Sequence, residues 1–135
     1  PHLNSGAGTN YLKYNTTGGE LTYQTSTQKN KKNITSPPSK IYDDILALQP
    51  RYFEMKDPND NKQYLSFIAE ETAAVSPKFS TYAEDFDYDD KGINRNKELV
   101  SDKLVPMDID ERAIIAALVG KIQDLENRIK TLENN

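Results

Sequence analysis

The strongest constraint in this sequence is a regular series of apolar residues in its C-terminal region. The series advances by alternating steps of three and four residues, which places Ile at every a position and Leu at every d position of a heptad repeat. Its members, which we call the seam, are Ile115, Leu118, Ile122, Leu125, Ile129 and Leu132. So narrow a seam favours a coiled coil between chains, and a helix packed on its own domain is the alternative.

Two further signals concern the start and the partners of this helix. Asp108, followed three residues later by Glu111, resembles a capping box and predicts where the helix begins. Ile at a with Leu at d favours dimers. In contrast, residues 128–133 resemble a trimer-specifying motif of short parallel coiled coils, in which Arg128 covers the seam and pairs with Glu133 of a neighbouring chain. We expect a parallel homotrimer, because this motif is more specific than the general rule.

The composition limits both the core and the chemistry of the chain. Only 36% of the 135 residues are hydrophobic, so we expect a thin core in the single chain and further burial through self-association. The net charge of −4 argues against a nucleic-acid surface, and no apolar stretch is long enough for a membrane span. There are no cysteines and the only histidine is His2, so cysteine chemistry, a histidine-containing triad and a metal or other cofactor are not expected.

Short elements are predicted along the rest of the chain. Strand-forming residues on both sides of a glycine-containing turn predict an N-terminal β-hairpin over residues 11–25. The segment that follows contains two adjacent prolines, which exclude a regular helix there. Apolar spacing then predicts a short helix over 39–48, a second hairpin from 52–55 and 64–68, and a helix over 69–75.

The acidic run at residues 84–90 is more typical of a solvated loop or arm than of a calcium-binding loop. The predicted fold class is therefore α+β, with an N-terminal β-hairpin, a small mixed α/β body with a protruding arm, and a long C-terminal helix in a trimeric coiled coil. The predicted division assigns 1–25 to the end of an upstream β-structured part, 26–107 to the body and 108–135 to the coiled-coil helix.

A serine and a lysine are the remaining candidates for a nucleophile and a base. Ser26 and Lys31 lie in the segment S-T-Q-K-N-K-K-N-I, which follows the strand-like residues 21–25. A lysine can activate a serine where its surroundings keep the amine neutral. A separation of five residues does not by itself bring the two side chains together in a helix or a strand. A tight turn, or a lysine from a neighbouring subunit, is needed.

This segment resembles the entry motif, approximately S-D-x-R-x-K-E-N-I, of the intramolecular chaperone auto-processing domains at the C-termini of phage endosialidases, tail spikes and neck appendages. Three further segments match in order, so the resemblance covers residues 20–135. Residues 41–50 are similar to the family's short helix ending in L-x-P, residues 67–71 to its G-[FIL]-I-A-Q-E segment, and the C-terminal helix to its coiled-coil end. The sequence departs from the family pattern at five positions: Thr27, Lys29, Lys32, Ser66 and Glu70.

The resemblance implies self-cleavage between Thr25 and Ser26, with Ser26 and Lys31 as the catalytic dyad and no cofactor. Cleavage would release residues 26–135 from an upstream fibre domain of the same polypeptide, in the host bacterial cytoplasm during virion assembly. The implied partners are the other chains of a homotrimer and this fibre, without nucleic acid or membrane. The alternative function is a trimerisation or receptor-contact module at a fibre tip that has no protease activity.

Overall fold

The computed structural model describes residues 12–15, 20–23, 26–86 and 99–135. The chain forms two compact units, Pro1–Ser36 and Pro37–Asn135. Within the described residues there are three α-helices and three two-stranded antiparallel sheets, which confirms the mixed α and β composition and the long C-terminal helix. The predicted boundary after residue 25 marks an expected cleavage point and not a boundary between compact units. It stays a prediction.

The first unit contains the predicted N-terminal hairpin. Strand β1, Leu12–Asn15, pairs antiparallel with strand β2, Glu20–Tyr23, and Leu12 lies opposite Tyr23. The outermost residues of the predicted hairpin, Tyr11 and Thr25, lie outside the described residues. Among the described residues that follow this hairpin, the unit contains one 3-10 turn, Gln28–Asn30.

The second unit begins with the predicted short helix. Helix α1 comprises Lys40–Asp44 and continues as a 3-10 turn, Ile45–Ala47. Ile45 and Leu48 are buried, as their spacing on one face of a helix requires. The change to tighter winding brings the last turn to an end before Pro50.

The second hairpin and the second helix also follow the predictions. Strand β3, Arg51–Glu54, pairs antiparallel with strand β4, Gln63–Ser66, and helix α2 comprises Ala69–Val75. Arg51 on β3 donates two hydrogen bonds, of 2.9 and 3.0 Å, to the carboxylate of Glu71 on α2. These hydrogen bonds lower the pKa of Glu71. The bidentate pair joins the hairpin to the helix.

The longest hairpin was not predicted. Strand β5, Ser80–Phe86, pairs with strand β6, Leu99–Ile109, so the first residues of the acidic run lie in a strand and not in a loop. The register shifts between Thr81 and Tyr82, where the opposite residue changes from Asp108 to Pro106. Bulges of this kind interrupt the two-residue alternation that identifies a strand in a sequence, and they accommodate proline. The remainder of the acidic run lies outside the described residues.

Helix α3, Glu111–Glu133, carries the seam, but the predicted cap was wrong. The N-cap is Asp110, whose carboxylate accepts a hydrogen bond of 3.0 Å from the backbone N–H of Ala113. Asp108 lies in β6, because the pairing with β5 continues as far as Ile109. The helix can begin only after that pairing ends. The backbone N–H of Asp110 then donates to the carbonyl oxygen of Phe79, at 2.7 Å.

The core of the second unit lies between α3 and the elements that precede it. Within the described residues its buried apolar members are Ile45, Leu48, Phe79, Ile114 and Ala117. Two of these lie on α3, so this helix is part of the body as well as a carrier of the seam. At the next turn of the helix, a Cβ atom on Gly120 would come within 2.1 Å of the Tyr42 ring. Glycine therefore permits the close approach of α1 to α3.

Replacement of the most deeply buried aromatic residue tests this thin core. We expect Phe79→Ala to lower the free energy of unfolding by about 3–5 kcal/mol, because Phe79 is fully buried and the cavity cannot fill with water favourably. Urea denaturation followed by circular dichroism measures the change. The control is Leu104→Ala on the exposed surface of β6, for which we expect a change within about 0.5 kcal/mol. Equal effects of the two substitutions would contradict the assigned core.

A buried lysine makes the second contact between α3 and α1. The Lys121 side chain is only 6% exposed, and its Nζ donates to Asp43 Oδ1 at 2.7 Å and to Asp124 Oδ2 at 3.2 Å. The hydrogen bond from Lys121 lowers the pKa of Asp43, and the hydrogen bonds to Asp43 and Asp124 raise the pKa of Lys121. Burial of an unpaired ammonium group is costly, so these carboxylates allow Lys121 to occupy the face that packs on α1.

This ion pair predicts a defined dependence of stability on pH. Because folding lowers the pKa of Asp43, its stabilising effect is present above its unfolded pKa of about 3.9 and is lost as the pH falls through the folded value. We expect Asp43→Asn to be less stable than the wild type at pH 7 and to approach it below about pH 4. Urea denaturation at several pH values measures this difference. In a Lys121→Met background the Asp43→Asn change should have little effect, and an equally large effect there would contradict the assigned pair.

Candidate functional site

The candidate catalytic segment is organised by one tight turn. Thr27 caps the turn Gln28–Asn30, since its hydroxyl oxygen accepts a hydrogen bond of 3.4 Å from the backbone N–H of Lys29. The backbone N–H of Asn30 donates to the Thr27 carbonyl oxygen at 3.2 Å, and the N–H of Lys31 donates to the Gln28 carbonyl oxygen at 3.0 Å. The chain therefore reverses between Ser26 and Lys31 within a single turn.

This reversal brings the two predicted site residues together. Lys31 Nζ lies 2.9 Å from Ser26 Oγ and 2.8 Å from the carbonyl oxygen of the same serine. The contact forms within one chain, so a tight turn is sufficient and a lysine from a neighbouring subunit is not needed to reach the serine. Thr25, the residue before the predicted cleavage point, lies outside the described residues.

The geometry allows Lys31 to act as a base. A neutral amine has two N–H groups and one lone pair, so one N–H can donate to the Ser26 carbonyl oxygen while the lone pair accepts the Ser26 hydroxyl proton. The distance of 2.9 Å between Nζ and Oγ lies within the range over which a general base takes up a proton. An ammonium group would instead donate to both oxygen atoms, which makes the same heavy-atom arrangement a simple turn-stabilising contact.

The single chain provides this geometry without burying it. Ser26 and Lys31 are both exposed, and so are the neighbouring Lys29 and Lys32. The uncharged form of a lysine is favoured by removal from water and by nearby positive charge. Lys29 and Lys32 place positive charge close to Lys31 in the sequence, but contact with water remains. Exclusion of water would have to come from other chains or from the segment that precedes Ser26.

The seam of α3 is exposed along its whole length. The exposed fractions of its six residues range from 41% to 72%. The side of α3 that packs on its own unit is a different one, formed by Ile114, Ala117, Gly120 and Lys121. The sequence analysis missed this second side. No signal in the sequence identifies it, because small residues and a lysine do not form a recognisable apolar series.

Other kinds of site find no support in the part of the chain that the structure describes. Within these ranges no group of three or more acidic, histidine or cysteine residues could hold a metal ion. No described helix is long and apolar enough to cross a membrane. No family model matches the chain, and no curated protein shows significant similarity to it. The contact between Ser26 and Lys31 and the exposed seam are therefore the features that bear on function.

Proposed function

We propose that this chain is an intramolecular chaperone that trimerises an upstream fibre and then releases itself by cleaving the Thr25–Ser26 bond. The observation that carries the proposal is the distance of 2.9 Å between Lys31 Nζ and Ser26 Oγ. It supports a serine and lysine dyad at the two positions that the resemblance to phage auto-processing domains selects. The exposed seam supports association between chains.

The chemistry begins with an acyl shift from nitrogen to oxygen. Lys31 takes the proton from the Ser26 hydroxyl, and Oγ attacks the carbonyl carbon of Thr25. A bond forms between Oγ and this carbon, and the peptide C–N bond breaks. The Lys31 ammonium returns its proton to the departing amine of Ser26. Thr25 is then held as an ester on the Ser26 side chain.

Water completes the cleavage. It attacks the ester carbon with Lys31 again in reach of the leaving oxygen, so that the C–O bond breaks and Oγ recovers a proton. The products are a carboxylate on Thr25 and a free amino group on Ser26, and the overall reaction consumes one water molecule. Each chain performs this reaction once, because its own backbone is the substrate.

The exposure of the dyad suggests why cleavage should wait for assembly. In the single chain both catalytic side chains contact water, whereas a lysine base needs partial removal from water. Association through the seam can supply neighbouring chains that cover the segment. Three-chain β fibres fold slowly because distant segments must find a common register, and a C-terminal trimeriser raises the local concentration of the chains. Cleavage after assembly would leave the finished fibre kinetically stable in the bacterial cytoplasm.

The second candidate is a permanent trimerisation or receptor-contact module. The exposed seam supports it as strongly as it supports the chaperone, because both functions need a homotrimer. The contact between Ser26 and Lys31 would then only stabilise a surface turn. The two candidates differ in the fate of the Thr25–Ser26 bond.

Substitution of the dyad separates these candidates. In a precursor that carries its upstream fibre, we expect the wild type to yield a fragment beginning at Ser26, and Ser26→Ala and Lys31→Ala to remain uncut while still forming trimers. The measurements are mass spectrometry of the denatured chain and N-terminal sequencing of the fragment. Ser36→Ala and Lys32→Ala are the matched controls, since both residues are exposed and neither forms the contact. Lys32→Ala should at most slow cleavage through the loss of a nearby positive charge.

Two results would contradict self-cleavage by this dyad. One is cleavage at residue 26 that continues in Ser26→Ala. The other is an intact bond in wild-type trimers that carry a folded fibre. The second result would favour the permanent trimerisation module.

A charged substitution in the seam tests the association itself. We expect Ile122→Asp to convert trimers to monomers, because each chain would bury an unpaired carboxylate, at a cost of about 3–5 kcal/mol. Multi-angle light scattering measures the molar mass at several concentrations. Gln123→Asp is the control, since this neighbouring residue lies on α3 outside the seam. A wild type that is monomeric at every concentration would contradict both candidate functions.

A further inference from the structure

An apolar groove lies beside the first turns of the seam. It has a volume of about 450 Å³ and lies between the hairpin of β3 and β4 and the N-terminal part of α3. Most of its lining residues are apolar and come from both sides, among them Pro50, Leu65, Phe67, Ile109, Ile115 and Leu118. Because Ile115 and Leu118 are also the first two residues of the seam, the groove is continuous with the proposed surface between chains.

The hairpin of β3 and β4, which forms one wall of the groove, carries large hydrophobic side chains that are exposed to water. Leu65 on β4 is 64% exposed, and Tyr52, which lies opposite it on β3, is also exposed. Residues directly opposite each other in an antiparallel pair project from the same face of the hairpin. The apolar surface of the seam therefore extends onto the body of the second unit.

Helix geometry identifies which side chain of a second copy can reach the groove. With about 100° between successive residues, Ile114 and Val119 lie about 70° to either side of the line midway between Ile115 and Leu118. Ile114 occupies the g position that directly precedes the first a residue, and Val119 occupies the e position of the first heptad. In a parallel coiled coil the g side of one helix meets the e side of the next. Ile114 lines the groove, and Val119, which is exposed, lies on the opposite side of the seam.

The charges on the same two sides favour this parallel arrangement. Two heptads further along, the g position is Arg128 and the following e position is Glu133, so opposite charges meet in a parallel pairing in register. In an antiparallel pairing e positions meet each other, which would bring the negative charges of Glu126 and Glu133 together. The register that pairs Arg128 with Glu133 also places Val119 beside Ile114.

We propose that the groove between β4 and α3 receives Val119 of a second copy of this chain, so that the interface between copies includes the chaperone body as well as the coiled coil. This inference depends on the homotrimer of the proposed function. The contact is heterologous, with a groove on one copy and Val119 on the next. Three such contacts close a ring.

Cross-linking between introduced cysteines tests the contact directly. The natural chain has no cysteine, so Leu65→Cys with Val119→Cys places the only two thiols on the groove and on its proposed occupant. We expect a short bis-maleimide to link them between copies and to give a covalent species of three chains on a denaturing gel. The control is Leu46→Cys with Val119→Cys, because Leu46 is 68% exposed and does not line the groove.

Light scattering before cross-linking keeps the two proposals distinguishable. Two results would overturn the groove contact and leave the proposed function standing. One is a trimer whose chains run singly on the denaturing gel, without links between copies. The other is equal linking between copies in the Leu46 control. Monomers at every concentration would overturn both.

A charged substitution provides an independent measurement. We expect Leu65→Lys to weaken association of the chains at least about tenfold while the single chain stays folded, since the exposed side chain contributes to burial only in the assembly. Leu46→Lys is the matched control and should leave association unchanged. Equal association of Leu65→Lys and the wild type would overturn the proposal.

Discussion

The packing of one side of α3 against its own unit determines which surfaces remain for other functions. Ile114 and Ala117 enter the core, Gly120 admits the Tyr42 ring, and Lys121 pairs with Asp43. Together these contacts fix the rotation of the helix about its axis. The seam then has no partner within the described part of its own unit and stays exposed. Removal of these apolar side chains from water by another chain is the physical basis for the proposed assembly.

The contact between Ser26 and Lys31 is formed in the single chain, but its removal from water is not. The turn capped by Thr27 places Lys31 Nζ against Ser26 Oγ using contacts of nearby residues alone. The environment that would make the lysine an effective base is not present around these exposed side chains. A site whose geometry is local and whose burial depends on assembly would stay inactive in the single chain. This arrangement would link cleavage to completion of the trimer.

Periodic segments were predictable, and irregular ones were not. The hairpin of β3 and β4 and helices α2 and α3 follow from the spacing of apolar residues between clear turn and proline signals. The hairpin of β5 and β6 was missed because its bulges break the alternation. The cap at Asp110 was misplaced because no local sequence signal indicates that strand pairing continues to Ile109.

The residues of the candidate site were predictable, but the turn that brings them together was not. Ser26 and Lys31 were selected by the resemblance, and their spacing required a tight turn. The cap of this turn is Thr27, at the position where the motif that the segment resembles has an aspartate. The side of α3 that packs on its own unit could not be recognised from the sequence. A lysine is stable at such a buried position only when a carboxylate pairs with it, and the carboxylate of Asp43 comes from a distant part of the chain. Tertiary contacts of this kind leave no local periodic signal.

The most direct test of the central claim, that assembly completes the active site, is the cleavage rate as a function of chain concentration. A refolded precursor that carries its upstream fibre is sampled over time, denatured and weighed by mass spectrometry, while light scattering reports its oligomeric state. We expect slow or absent cleavage where chains are monomeric, and a rate that rises with concentration and levels off once all chains are trimeric. A rate that is the same in monomers and trimers would contradict it.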